Sequence, residues 1–232
     1  MQGVLGCGTL VPVDLSHPLR SLVPSLDADV LEVLAGVETA LGLSQITRVA
    51  ARGSRMGISH VVNRLVEHGL VLAEPGNQGH LYRLNRDHLL VPVILTGASM
   101  RKTLLDRLSE HANHLVPAPA HVSVFGSFAR GEAGSDSDID VLVVAASEAD
   151  LDKMGDPLDE LSTDVARWTG NHCQVVAVTA SHVRGLHAGG ERIVDEWLHD
   201  SYLLAGSELA ALLRRPRRSS GTRSPSSPST TR

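Results

Sequence analysis

Residues 126–144 read GSFARGEAGSDSDIDVLVV, and the order of residue types in this stretch governs how the rest of the chain is read. IDVLVV (139–144), with its β-branched, apolar run from Val141 to Val144, reads as a buried strand. Asp138 and Asp140 stand two apart at its start, so both carboxylates project from one face while Ile139 and Val141 project from the other. Carboxylates held side by side repel one another unless a cation lies between them. Mg²⁺ (or Mn²⁺) suits that place, because a hard ion takes one or two carboxylates together with substrate phosphates. Upstream, Gly126 and Ser127 let backbone amides and a hydroxyl come close to phosphate oxygens.

Two other motifs fail on this stretch. Gly126 and Gly131 have the spacing of a P-loop, but Glu132-Ala133 occupies the place of Lys and Ser/Thr. Asp136, Asp138 and Asp140 begin like an EF-hand loop, but Val141 replaces the glycine it requires and an apolar strand replaces the loop. What remains is Gly-Ser, ten residues, then Asp-x-Asp, with the FGSFARGE opening, the SDSDIDVLVV run and a strand, HVSVF (121–125), before it. This resembles the minimal nucleotidyltransferases of the DNA polymerase β superfamily over residues 121 to about 212. The resemblance implies that Asp138 and Asp140 bind the metal and are the catalytic carboxylates. It also implies that Gly126 and Ser127, assisted by Arg130, hold the phosphates of a nucleoside triphosphate, ATP being the simplest choice. The reaction would be in-line attack of an acceptor hydroxyl on the α-phosphorus with release of pyrophosphate. Active members usually carry a third carboxylate on the next strand. Here that strand reads NHCQVVAV (171–178) and places Gln174 or, in the other register, Ala177 at that position. Asp164, on the preceding helix, reads as a surface residue.

Working outward, PLDELSTDVARWTG (157–170) is an amphipathic helix with Gly170 beyond its end, and QVVAV (174–178) is a third strand. SHVRGLHAGGERIVDEWLHDS reads as one helix or two separated at Gly189 and Gly190. YLLAG is a short apolar segment and SELAALLRR a last helix. Before the motif, LLVPVILTGASMRKTLLDRLSEHANHL (89–115) reads as one long or kinked linking helix closed by PAPA (117–120).

The N-terminal part has a different order. A helix in LDADVLEVLAG has Asp27 as its N-cap, a second starts at the capping residue Ser44, and RGS (52–54) breaks it. A third follows in MGISHVVNRLVEHG, with Gly69 as its left-handed cap, and LVLAE and LYRL flank PGNQGH as a hairpin. Three helices and a hairpin over residues 26–87 resemble the bacterial winged-helix regulators. In that fold the third helix lies in the DNA major groove and the hairpin tip reaches the adjacent backbone or minor groove. The resemblance puts Ser59, His60, Asn63 and Arg64 on or near the reading face, Asn77, Gln78 and His80 at the wing tip, and Arg52 and Arg55 against phosphates.

Charge distribution agrees with this division. Residues 44–86 hold six Arg against Glu67 and Glu74 only, whereas residues 116–212 hold five basic against sixteen acidic residues. An acidic domain does not attract polyanions, so nucleic acid would have to be delivered by the winged helix or by the Arg-rich tail. Cys7 and Cys173 are too few for a disulfide framework or a thiolate zinc site, and a reducing cytoplasm is the simplest location. There is neither a signal-peptide pattern nor a membrane-length apolar run. His111 and His114 read as ordinary helix-face histidines, and no nucleophile-elbow motif is present.

The expected fold class is α+β: an N-terminal winged helix-turn-helix, a linking helix, and a C-terminal polymerase-β-like nucleotidyltransferase domain with a small mixed sheet flanked by helices. The expected divisions are a flexible extension (1–20), a DNA-binding domain (21–88), a linking helix (89–118), the nucleotidyltransferase domain (119–213) and a disordered basic tail (214–232). The partners expected are ATP or another nucleoside triphosphate, DNA, and a second copy of the chain, with no membrane. The leading function is a DNA-binding nucleotidyltransferase that transfers a nucleoside monophosphate, AMP most simply. The missing third acid supports an alternative, a transcriptional regulator whose degenerate domain senses a nucleotide. A third reading, an antitoxin of a toxin-antitoxin pair, follows from the resemblance alone.

Overall fold

The computed structural model describes residues 12–50, 52–77 and 79–214. Within them apolar side chains gather around two separate sheets. In the N-terminal part the described elements run α1 (Leu26–Ala35), β1 (Leu41–Gly42), α2 (Leu43–Val49), α3 (Arg55–Glu67), β2 (Val71–Gly76) and β3 (Gly79–Leu84). The strands form an antiparallel sheet in the order β1-β3-β2. Val30, Leu34, Ile46, Ile58 and Val62 are completely buried between the helices and this sheet. β1 has no counterpart among the expected elements, since two residues are too short to show a period of two. Two caps also differ from expectation. Ser25, not Asp27, caps α1 by accepting the Asp27 amide, and the Asp27 carboxylate instead meets Ser25 Oγ and Arg64. Gly42, not Ser44, precedes α2, where the Gln45 side chain accepts the Gly42 amide at 2.8 Å.

The linking segment is two helices, α4 (Val91–Ala98) and α5 (Met100–His114), meeting at Ser99. They belong to different cores. Val91 and Ile94 pack with the N-terminal helices, and α5 contributes Leu104, Leu105, Leu108 and Ala112 to the C-terminal core. The segment is therefore an integral part of both domains rather than a spacer.

The C-terminal part continues with β4 (His121–Phe125), α6 (Gly126–Arg130), β5 (Ile139–Ala145), α7 (Glu148–Lys153), α8 (Gly155–Thr169), β6 (Cys173–Thr179), α9 (Ala180–Gly189), α10 (Arg192–His199), β7 (Tyr202–Gly206) and α11 (Leu209–Leu213). Its mixed sheet has the order β6-β5-β4-β7, with β5 and β6 parallel and β4 antiparallel to both neighbours. The parallel pair requires a crossover, and α7 and α8 supply it. One face of the sheet, through Val141 and Val143, packs with Leu108, Leu161 and Val165. The other, through Leu142 and Val144, packs with Val183, Trp197 and Leu209. Both faces of β5 beyond Asp140 are thus covered, the physical reason residues 141–145 are apolar without alternation.

Residues 12–20 do not trail away from the structure as the expected extension would. Leu15 is buried in the C-terminal core, Leu19 is buried in the N-terminal one, and Pro18–Ser21 form a turn of 3₁₀ helix. A Cβ at Gly97 would collide with the end of the Leu19 side chain, which would have to shift to admit it. The rest of the extension (1–11) and all of the expected tail after Arg214 lie outside the described residues. Among the described residues no helix is long and apolar enough to cross a membrane.

Candidate functional site

β4 ends at Phe125, and the chain turns at once into α6 through Gly126, whose φ of +71° lies in the left-handed region that favours glycine. Antiparallel pairing sets Phe125 opposite Asp140 on β5. The Gly-Ser turn and the second aspartate are therefore in contact: a Cβ on residue 126 would lie 2.7 Å from Asp140 Oδ2. Both the dihedral angle and the close approach of the Asp140 side chain favour glycine here. Ser127 is half-buried in the first turn of α6, and its carbonyl accepts the Glu132 amide at 2.9 Å.

Asp138 is exposed just before β5, and Asp140 is half-buried within it. Burial first, and the Asp138 charge second, push the Asp140 carboxyl above the usual carboxylate range, with His172 acting in the opposite direction. The parallel register of β5 and β6 sets Gln174 beside Asp140 and pairs Ala177 with Val143 on the opposite face. Of the two positions considered for a third acid, the relevant one is thus Gln174. The same register brings His172 next to Asp138, with Nδ1 3.8 Å from Asp138 Oδ1. Sequence reasoning missed His172, because no local pattern specifies a parallel register. Among the described residues no group of three or more His, Cys, Asp or Glu side chains is arranged to hold a metal. Asp164 pairs with Arg167 at 2.7 Å on α8.

Arg130 lies at the end of α6, half-exposed, with Nε 2.8 Å from Glu132 and Nη1 3.6 Å from Asp200. A phosphate would have to draw it away from two carboxylates. Arg101, from α5, donates to the carbonyls of Phe128 and Ala129 at 3.0 and 2.8 Å and lies over the Phe128 ring. It therefore fixes the C-terminal end of α6, another contact with no signature in the motif.

In the N-terminal domain, His60 and Asn63 lie on the exposed side of α3, with Ser59 half-buried beside them. Asn77 and His80 are exposed at the hairpin, and Gln78 lies outside the described residues. The arginines are more engaged than the local charge count implied. Arg64 pairs with Asp27, Arg52 with the buried Asp29 at 3.1 Å, and Arg83 with Glu74 at 2.6 Å. Arg55 donates to Ser44 Oγ at 2.9 Å, and Arg86 to the carbonyls of Ala35 and Val37. Asp27 and Asp29 lie outside the basic stretch in sequence, and α1 carries them onto it.

Comparison with known proteins gives the C-terminal domain a family likeness. Residues 102–185 match the family model described as the nucleotidyltransferase domain, from within α5 to within α9. No curated protein matches the chain. Among solved structures, a toxin-antitoxin structure with AMP-PNP is similar at 17% identity and a TM-score of 0.31, covering 50% of this chain and 80% of that one. A protein described as a nucleotidyltransferase, from Sulfolobus solfataricus, is similar at 20% identity and a TM-score of 0.27, covering 44% of this chain and 80% of that one. TrmBL2, described as an archaeal chromatin protein with a novel mode of DNA binding, is similar at 15% identity and a TM-score of 0.28, covering 78% of this chain and 75% of that one.

Proposed function

We propose that this chain, whose residues 102–185 match the nucleotidyltransferase domain, binds a divalent cation and a nucleoside triphosphate at the edge formed by Gly126, Ser127, Asp138 and Asp140. It transfers a nucleoside monophosphate, AMP from ATP in the first instance, to an acceptor hydroxyl. The N-terminal domain is a winged helix that binds DNA. The observation that carries the nucleotide reading is the Asp140 carboxylate. It is half-buried, lies against the Gly126 backbone, and is raised in pKa by burial and by Asp138. Those donors are hard oxygens on an accessible edge, which fits Mg²⁺ or Mn²⁺, and Asp138 and Asp140 would hold the ion. When bound, the ion neutralises charge developing on the phosphate oxygens.

Ser127 and the backbone of Gly126 meet the terminal phosphates, and Arg130 adds positive charge at the far end of α6. The acceptor oxygen forms a bond to the α-phosphorus, the bond from that phosphorus to its bridging oxygen breaks, and pyrophosphate leaves. The hydroxyl proton passes to a base. Gln174 cannot take that proton as a carboxylate would, and this observation supports a second reading in which the domain binds a nucleotide and reports it to the DNA-binding part. For DNA, the exposed faces of His60, Asn63, Asn77 and His80 suit base edges, and Arg52 and Arg55 suit phosphates.

The test is to titrate ATP, GTP, CTP and UTP with Mg²⁺ or Mn²⁺ while following thermal stability, then to incubate α-labelled nucleotide with the protein and cell lysate. Binding with label transfer that vanishes in Asp138→Ala and Asp140→Ala supports transfer. Binding without transfer supports the sensor. Absence of any stabilisation by every nucleotide defeats both.

A further inference from the structure

We propose that the segment Val13–Arg20, together with Asn171, positions the loop between the Gly-Ser turn and Asp138, so that nucleotide affinity depends on contacts made from outside the sheet that carries the site. The inference rests on the nucleotide reading above. The loop Gly131–Ser137 separates Ser127 from Asp138, the two halves of that site, and among its seven residues only Ala133 is buried. A loop with so little apolar anchoring is held by its backbone hydrogen bonds.

Some of those bonds are local: the Glu132 amide donates to the Ser127 carbonyl, the Ser137 amide to the Gly134 carbonyl and the Gly134 amide to Ser137 Oγ. Those that reach the loop from outside come from two places. Ser16 Oγ lies 2.8 Å from the Gly131 carbonyl and 3.0 Å from the Ala133 carbonyl, and the Ser16 amide donates to the latter at 3.1 Å. The hydroxyl has one proton and serves one carbonyl at a time. At the other end of the loop, Asn171 Nδ2 donates to the carbonyls of Ser135 and Ser137 at 3.4 and 3.2 Å. Asn171 is only 1% exposed, and its Oδ1 accepts the Val13 amide at 3.2 Å. A buried amide with both ends satisfied has one orientation, and the loop inherits it. The N-terminal segment thus contacts the loop directly through Ser16 and indirectly through Val13 and Asn171.

The segment is in turn fixed by the other domain. Asp14 Oδ1 accepts the amides of Ser16 and His17 at 3.1 and 3.0 Å, setting the turn that presents Ser16. Arg20 reaches Asp14 Oδ2 at 3.1 Å and the buried Asp29 of α1 at 2.5 Å. Leu15 enters one core and Leu19 the other. A continuous series of contacts therefore runs from Asp29 through Arg20, Asp14 and Ser16 to the loop. These are positioning residues; the roles of binding cation and phosphate belong to Gly126, Ser127, Asp138 and Asp140.

The test compares wild type with Ser16→Ala, Ser16→Thr, Arg20→Met and Asn171→Asp, using calorimetric titration of ATP with Mn²⁺, thermal stability, and amide exchange of residues 131–138. Loss of one hydrogen bond that orders the loop should weaken ATP binding about three- to tenfold. Ser16→Thr should restore it, and Ser16→Ala should speed amide exchange in the loop without changing exchange in β4 or β5. Arg20→Met, far from the nucleotide, should act in the same direction as Ser16→Ala. Ser16 is a half-buried surface hydroxyl, so Ser16→Ala keeps the test decisive even if Asn171→Asp or Arg20→Met fails to fold. Unchanged affinity and unchanged loop exchange in Ser16→Ala would overturn the positioning role while leaving the nucleotide reading intact. If wild type itself binds no nucleotide, the function falls and this inference falls with it.

Discussion

Substituting Gly126 by Ala tests whether the Gly-Ser turn and Asp140 are built against one another. Two separate penalties are expected. The first is backbone: at φ +71° an L-residue loses about 1 kcal/mol relative to glycine. The second is collision, since the new Cβ would lie 2.7 Å from Asp140 Oδ2, and the half-buried carboxylate must turn or retreat. Gly131 provides the internal reference, with φ +76° and nothing within 4 Å of the place a Cβ would occupy. Gly131→Ala should therefore cost about 1 kcal/mol and Gly126→Ala about 2–3 kcal/mol. Urea denaturation without divalent cation measures both, and each kcal/mol corresponds to roughly 2–4 °C in Tm. In an Asp140→Ala background the collision disappears, so Gly126→Ala should there cost no more than Gly131→Ala, a coupling on the order of 1–2 kcal/mol. Equal costs for the two glycines in the wild-type background would refute the argument, as would an effect of Gly126→Ala that ignores Asp140. Cation affinity should fall in Gly126→Ala and stay near wild type in Gly131→Ala.

Three further outcomes follow from the charges. Asp140 has a carboxyl pKa raised in the fold by burial and by Asp138, so its contribution to stability is present below the unfolded value of 3.8 and lost as pH rises through the folded one. Asp140→Asn should accordingly be more stable than wild type at neutral pH without cation, with the difference closing in acid, and should lose stabilisation by Mn²⁺; denaturation midpoints against pH decide it. Asp29 behaves in the opposite sense: burial raises its carboxyl, but hydrogen bonds and charge from Arg20 and Arg52 outweigh that and lower it. Its stabilisation is present above the unfolded value of 3.8 and lost as pH falls through the lowered one, so Asp29→Ala should cost about 2–4 kcal/mol near neutrality and progressively less in acid, as read from urea midpoints across that range. Burial, together with the nearby Asp140 and Asp138 charges, pushes the Cys173 thiol up to about 11 against a hydrogen bond with Ser162. Peptide mapping after alkylation at pH 8 should find Cys173 unmodified in the native protein and modified in urea; equal labelling would contradict its burial.

Much of the candidate site was legible from Gly126, Ser127, Asp138 and Asp140 alone. A spacing of two along a strand, and a glycine where the chain turns sharply, are local properties, and local geometry follows from the covalent chain. The type of most helices and strands was legible for the same reason. Only the tertiary structure decided that Gln174 rather than Ala177 stands beside Asp140, and that His172 stands beside Asp138, because a parallel register is set through a crossover of two helices. Only it assigned α4 and α5 to different cores, paired the arginines of the basic stretch with Asp27 and Asp29, and placed Ser16 against a loop more than a hundred residues away. Side-chain period reports which face of an element is apolar. It carries no information on which distant face or charge will meet it, and that choice is made by packing and by the pairing of buried polar groups.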